Sequence, residues 1–130
     1  MSTIRILLVE DNEMNRALVR AILARTSELR LREATLVEAE NVAAARSALA
    51  AGRFDVILLD VHLPDGSGLT IAQEANASPD GRPPIVALTA AALPREQAAA
   101  LDAGCDTFLA KPYTSSELVN TIVKLLPAVS

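Results

Sequence analysis

Cysteine is almost absent from this chain of 130 residues. Cys105 stands alone, so an internal disulfide and a cysteine-based zinc site are both excluded. A single thiol fits a reducing, cytoplasmic setting. Tryptophan is missing, and Phe54, Phe108 and Tyr113 are the only aromatic residues. The core must therefore be built from Leu, Ile, Val and Ala. The net charge is -4, with no basic run and no aromatics interleaved with basic residues, which argues against direct contact with nucleic acid or an anionic membrane. No apolar run approaches the roughly 20 residues that cross a bilayer. The opening MSTIRILLVEDNE turns acidic too soon for a signal peptide. No glycine-rich phosphate loop follows the first apolar run, which counts against a nucleotide or flavin site.

What is present reads as one globular domain over residues 1–130, with 51% hydrophobic and 22% charged residues. Ile4–Val9 is a short apolar run that stops at Glu10, Asp11 and Asn12, as a strand buried on both faces stops at a polar loop. Met14, Leu18, Ile22 and Leu23 follow at helical spacing as far as Thr26. Leu36–Ala39 is a weaker strand. Asn41 suits the cap of a helix with Val42, Ala45 and Leu49 on its inner stripe and Gly52 at its end. Val56–Leu59 is a second buried strand, ending at Asp60, and HLPDGSG after it has loop composition. A helix is expected from Leu69 to Asn76, a loop at SPDGRPP, and a strand over Ile85–Leu88 ending at Thr89. An Ala-rich helix starts at Pro94, a residue suited to a first helical turn, and stops near Gly104. Thr107–Ala110 is the last strand. Thr114 and Glu117 then form a capping box ahead of a helix with Leu118, Ile122 and Leu125 inside.

Five strand–helix units in alternation predict an α/β fold: a parallel sheet with helices on both faces. Sequence alone leaves the strand order open. Polar residues stand where the buried strands stop: Glu10 and Asp11, then Asp60, Thr89 and Lys111. Parallel strands share one carboxyl edge, so these residues should converge on one pocket. Three carboxylates so close cannot all stay ionised unaided. A hard divalent cation with oxygen ligands, Mg2+ or Mn2+, resolves the repulsion. A carboxylate in such a pocket can attack phosphorus and form an aspartyl phosphate.

Four segments, ILLVEDNEMNR (6–16), VILLDVHLPDGSGL (56–69), IVALTA (85–90) and AGCDTFLAKPY (103–113), resemble the receiver domain of two-component response regulators. The resemblance spans essentially the whole chain, and the four segments in this order are highly specific. It implies a flavodoxin-like three-layer fold with five helices and five parallel strands in the order 2-1-3-4-5. It implies Asp60 as phosphoacceptor, Glu10 and Asp11 as the acidic pair for Mg2+, and the backbone carbonyl of His62 as a further metal ligand. Thr89 becomes the switch hydroxyl, Lys111 the phosphate-binding ammonium, and Phe108 the aromatic that moves inward when Thr89 is drawn to the phosphate. The Lys111–Pro112 bond is expected to be cis. Leu63 and Ser67 depart from the family's usual Met and Asp, and Phe108 stands where Tyr is more usual.

The implied partners are a histidine kinase or histidine phosphotransfer protein and a downstream protein target. Stand-alone regulators, similar to the chemotaxis regulator, and receivers of hybrid kinases both fit. Two other readings compete. One is a binding module of the same fold that is never phosphorylated. The other is a metal-dependent phosphohydrolase; the commonest motif of that class has Asp where this chain has His62. The His62 side chain itself is expected to lack a partner, and Cys105 to be a buried packing residue.

Overall fold

The computed structural model describes residues 3–78, 81–90 and 94–126. Five strands form one parallel sheet: β1 (Arg5–Val9), β2 (Thr35–Ala39), β3 (Val56–Asp60), β6 (Ile85–Ala90) and β7 (Thr107–Lys111). Their order is β2-β1-β3-β6-β7, with β3 in the centre. This is the 2-1-3-4-5 order of the flavodoxin-like fold. The helices are α1 (Glu13–Arg25), α2 (Leu29–Arg32), α3 (Val42–Ala51), α4 (Leu69–Asn76), α5 (Pro94–Asp102) and α6 (Ser115–Leu125).

Alternation along the strands builds two cores. Ile6, Leu8, Val56, Leu58, Val86 and Leu88 pack against Val19, Ile22 and Leu23 of α1 and Leu118 and Ile122 of α6. Leu7, Val9, Ile57, Leu59, Ile85 and Ala87 face the other way, onto α3, α4 and α5. Covering on both faces explains the unbroken apolar runs of β1 and β3. β2 lies at the edge and buries only Ala39.

Several elements differ from expectation. Met14 and Leu18 are 81% and 47% exposed, because the inner stripe of α1 runs through Val19, Ile22 and Leu23 instead. Six helices stand among the described residues where five were expected; the extra one, α2, is a single turn seated by Leu31. Within HLPDGSG, β4 (His62–Leu63) and β5 (Gly66–Ser67) pair as a small antiparallel ribbon. Leu125 is only partly buried, and Leu126 closes the core at that end. Gly52 does end α3, but with extended backbone rather than a left-handed cap. Of the expected SPDGRPP loop, Pro79 and Asp80 lie outside the described residues.

Two caps follow the sequence: Asn41 Oδ1 accepts from Ala44 N, and Thr114 with Glu117 completes a capping box. Two others were not foreseen. Asn12 Oδ1 accepts from Asn15 N. Asp65, in the turn of the ribbon, accepts from Val42 N at 2.8 Å and Ala43 N at 3.1 Å. These bonds hold its carboxyl below the usual range and tie the ribbon to α3. Among the described residues no helix is long and apolar enough to cross a membrane.

Candidate functional site

Glu10 follows the last residue of β1, Asp60 ends β3, Thr89 is the penultimate residue of β6, and Lys111 ends β7. The register carries these strand ends to one edge: Val9 lies beside Leu59, Asp60 beside Leu88, and Ala90 beside Lys111. Lys111 Nζ donates to Glu10 Oε1 at 2.7 Å and lies 3.4 Å from Asp60 Oδ2. One carboxylate oxygen each from Glu10, Asp11 and Asp60 falls within a 4.8 Å span. The structure therefore brings together four expected residues: Glu10 and Asp11 from the loop after β1, Asp60 from β3 and Lys111 from β7. Glu10 and Asp60 are buried and Asp11 is exposed, so the cluster opens to solvent on the Asp11 side.

Burial sets the electrostatics. It raises the Asp60 pKa to about 6, aided by the neighbouring Glu10 carboxylate and opposed by the charge of Lys111. Burial is the largest influence on Glu10 and pushes it up, but the hydrogen bond and charge of Lys111, with the bonds to Asp60 and the Asn12 N–H, together hold it below the ordinary value. Lys111 loses charge stability to burial and regains more from Glu10 and Asp60, so its pKa is raised. The pocket thus sets a Glu10 held below its ordinary value and a Lys111 held above its own beside an Asp60 pushed up to about 6.

Two further features shape the pocket. Thr89 is 0% exposed and its Oγ1 has no hydrogen-bond partner among the described residues. A buried hydroxyl without a partner is uncommon and needs an explanation. Gly68 opens α4 directly beneath Asp60: a Cβ there would stand 1.9 Å from the Asp60 carbonyl oxygen. Only a glycine allows that approach.

His62 N lies 3.4 Å from Asp60 Oδ1, at the long end of a hydrogen bond. Its ring is not isolated, contrary to expectation. Nε2 sits 2.6 Å from Glu96 Oε1 on α5, while Glu96 Oε2 is buried without a partner among the described residues. Nothing in the sequence pairs His62 with Glu96, since 34 residues separate them. Phe108 is half-buried against the core on the α3–α5 face, in register with Ala87. Tyr113 packs on the opposite core, and burial raises its pKa. The Lys111–Pro112 peptide is cis, and Cys105 is buried with its pKa pushed up by burial to about 11.

All the donors of the acidic cluster are carboxylate oxygens, two of the three groups are buried, and a compensating cation is needed for all to ionise. That donor set fits a hard divalent ion such as Mg2+.

A doubly wound parallel sheet with an acidic, lysine-bearing pocket at its carboxyl edge defines a flavodoxin-like α/β domain. The chain belongs to the response regulator receiver domain family, whose model matches residues 6–123. It is 38% identical over 120 residues to the swarming motility regulation protein RssB of Serratia marcescens, covering 90% of this chain and 50% of that one. It is 34% identical over 124 residues to the sensor histidine kinase GacS of Pseudomonas protegens, covering 92% of this chain and 13% of that one. The chain thus spans half or less of these curated relatives. Among solved structures, the receiver domain of sensor histidine kinase PA1611 from Pseudomonas aeruginosa PAO1 is 33% identical with a TM-score of 0.80, covering 95% and 98% of the two chains. That structure is described with a magnesium ion coordinated in its active site cleft. A response regulator from Chloroflexus aurantiacus shares the fold at a TM-score of 0.85 and 24% identity, covering 95% and 98%. The family is a signalling domain of two-component systems, found in response regulators and hybrid histidine kinases, rather than a turnover enzyme.

Proposed function

We propose that Asp60 accepts a phosphoryl group from a phosphohistidine of a histidine kinase or phosphotransfer protein. The observation that carries this reading is the meeting of Lys111 Nζ with Asp60 and Glu10 inside a three-carboxylate cluster. Glu10, Asp11, Asp60 and the His62 backbone carbonyl hold Mg2+ or Mn2+. When bound, the cation offsets carboxylate repulsion and neutralises charge on the transferred group. Asp60 Oδ attacks phosphorus as the P–N bond to the donor imidazole breaks. Lys111, already 3.4 Å from Asp60, turns from the carboxylates toward a phosphoryl oxygen. Thr89 Oγ1 donates to another, which supplies the partner that this buried hydroxyl lacks. Phe108 then follows Thr89 inward, and the β6–α5–β7 face shifts population toward a form that binds a downstream protein. The chain acts on its own aspartate, including slow hydrolysis of the acyl phosphate. One receiver over residues 1–130 is the proposed unit, without direct nucleic-acid or membrane contact.

Intact mass spectrometry after incubation with Mg2+ and a small-molecule phosphodonor tests this. One added phosphate is expected in the wild type and none in Asp60→Asn. A pure binding module would gain none in either. Sustained turnover of a phosphomonoester would instead favour the phosphohydrolase reading.

A further inference from the structure

Arg16 closes the first of the four segments on which the family resemblance rests, yet it has no place in the phosphoryl chemistry above. Its side chain is only 13% exposed. Nη1 donates to the Glu10 backbone carbonyl at 2.8 Å, and Nη2 donates to Glu13 Oε2 at 2.6 Å. Nε lies 3.3 Å from Glu38 Oε1 on β2. Arg20 contacts the same two glutamates, at 2.6 Å and 2.5 Å, so both anchors of Arg16 are themselves held.

The gripped carbonyl belongs to the peptide unit that also carries the Asp11 N–H. A peptide unit is planar, so fixing that oxygen fixes the plane from which the Asp11 side chain departs. Glu10 N is tied to Ala39 O at 2.9 Å, and Glu10 Oε2 accepts from Asn12 N at 3.3 Å. With Arg16 in place, the Glu10–Asn12 turn is held from β2 on one side and from α1 on the other.

We propose that Arg16 is a positioning residue for the divalent-cation pocket. Its fork locks the Glu10–Asp11 peptide so that both carboxylates face the cation together. Ligand-orienting partners of this kind commonly govern metal affinity. The proposal rests on the reading that Glu10, Asp11 and Asp60 bind a divalent cation.

The test is Mg2+ titration by calorimetry on wild type, Arg16→Met, Arg16→Lys and, as a charge control on the same helix, Arg25→Met. The dissociation constant should rise about tenfold in Arg16→Met. Arg16→Lys keeps the charge but not the fork, and should stay at least about threefold weaker than wild type. Arg25→Met should match wild type. Phosphorylation of both Arg16 variants by a small-molecule donor should recover at saturating Mg2+, which a merely misfolded site would not show. Should Arg16→Met fail to fold, Arg16→Lys alone decides. Affinity within about twofold of wild type in every folded Arg16 variant, or full restoration by lysine, overturns the proposal. A wild type that binds no Mg2+ would instead overturn the cation site itself.

Discussion

Asp60 sits in an electrostatic conflict: a carboxylate 7% exposed, facing another carboxylate, with one ammonium to offset both. Its pKa is raised from the usual 3.8 to about 6, first by burial. A raised acid favours the folded state while protonated. The stability it contributes is full below about pH 3.8 and is lost as pH rises through about 6. At neutral pH the metal-free protein therefore bears the strain, and Asp60→Asn should stabilise it by roughly 1–3 kcal/mol, read as a higher Tm. Protons and Mg2+ compete for the same oxygens, so Mg2+ affinity should rise between about pH 5 and about pH 7.5. Titration calorimetry across that interval checks the slope; equal affinity at both ends would contradict it. Thr89 makes the complementary case. Thr89→Val removes a buried hydroxyl that has no partner, so it should leave folding stability unchanged or raise it by up to about 1 kcal/mol. The same change should lower the yield or lifetime of the acyl phosphate. A large drop in Tm would show that the hydroxyl has a structural partner after all.

Elements differ in how openly the sequence states them. β1 and β3 are legible because, after Arg5 at the start of β1, burial on both faces leaves only apolar residues until the strand ends, and that end is where Glu10 and Asp60 sit. The caps at Asn41 and Thr114 are legible because side-chain oxygens satisfy free helix N–H groups at fixed offsets, whereas Asn12 reads only as part of the loop after β1. The stripe of α1 is misread by periodicity. Met14 and Leu18 continue the spacing of Ile22, but the rotation of the helix on the sheet selects Val19. α2 and the β4–β5 ribbon are too short to have a period at all. The hydrogen bond between His62 and Glu96 joins two elements that no local pattern relates. The junction of β3 and α4 offers a direct check at this scale. Gly68 lies against the Asp60 carbonyl, so Gly68→Ala forces backbone movement beneath Asp60. A loss of about 1–3 kcal/mol is expected by chemical denaturation. An unchanged midpoint would mean that α4 can shift without disturbing β3.

At the scale of the whole molecule, the strand order could not be read from the sequence, yet the convergence of the site did not depend on it. Parallel strands place their carboxyl ends on one edge whatever their order; the order decides only which ends are neighbours. In the structure β3 lies between β1 and β6, so Asp60 stands between the acids that follow β1 and the hydroxyl of β6. Lys111 reaches across from β7, 101 residues from Glu10 in the chain. The most direct measurement is trapping of the acyl phosphate. After treatment with Mg2+ and a phosphodonor, borohydride reduction converts a phosphorylated aspartate to homoserine, which tandem mass spectrometry locates. Homoserine at position 60 and nowhere else, dependent on Mg2+ and strongly reduced in Lys111→Met, is the expected result. Homoserine at Asp11 or another acid, or none under conditions where the protein is folded and binds Mg2+, would contradict the assignment of Asp60 as phosphoacceptor.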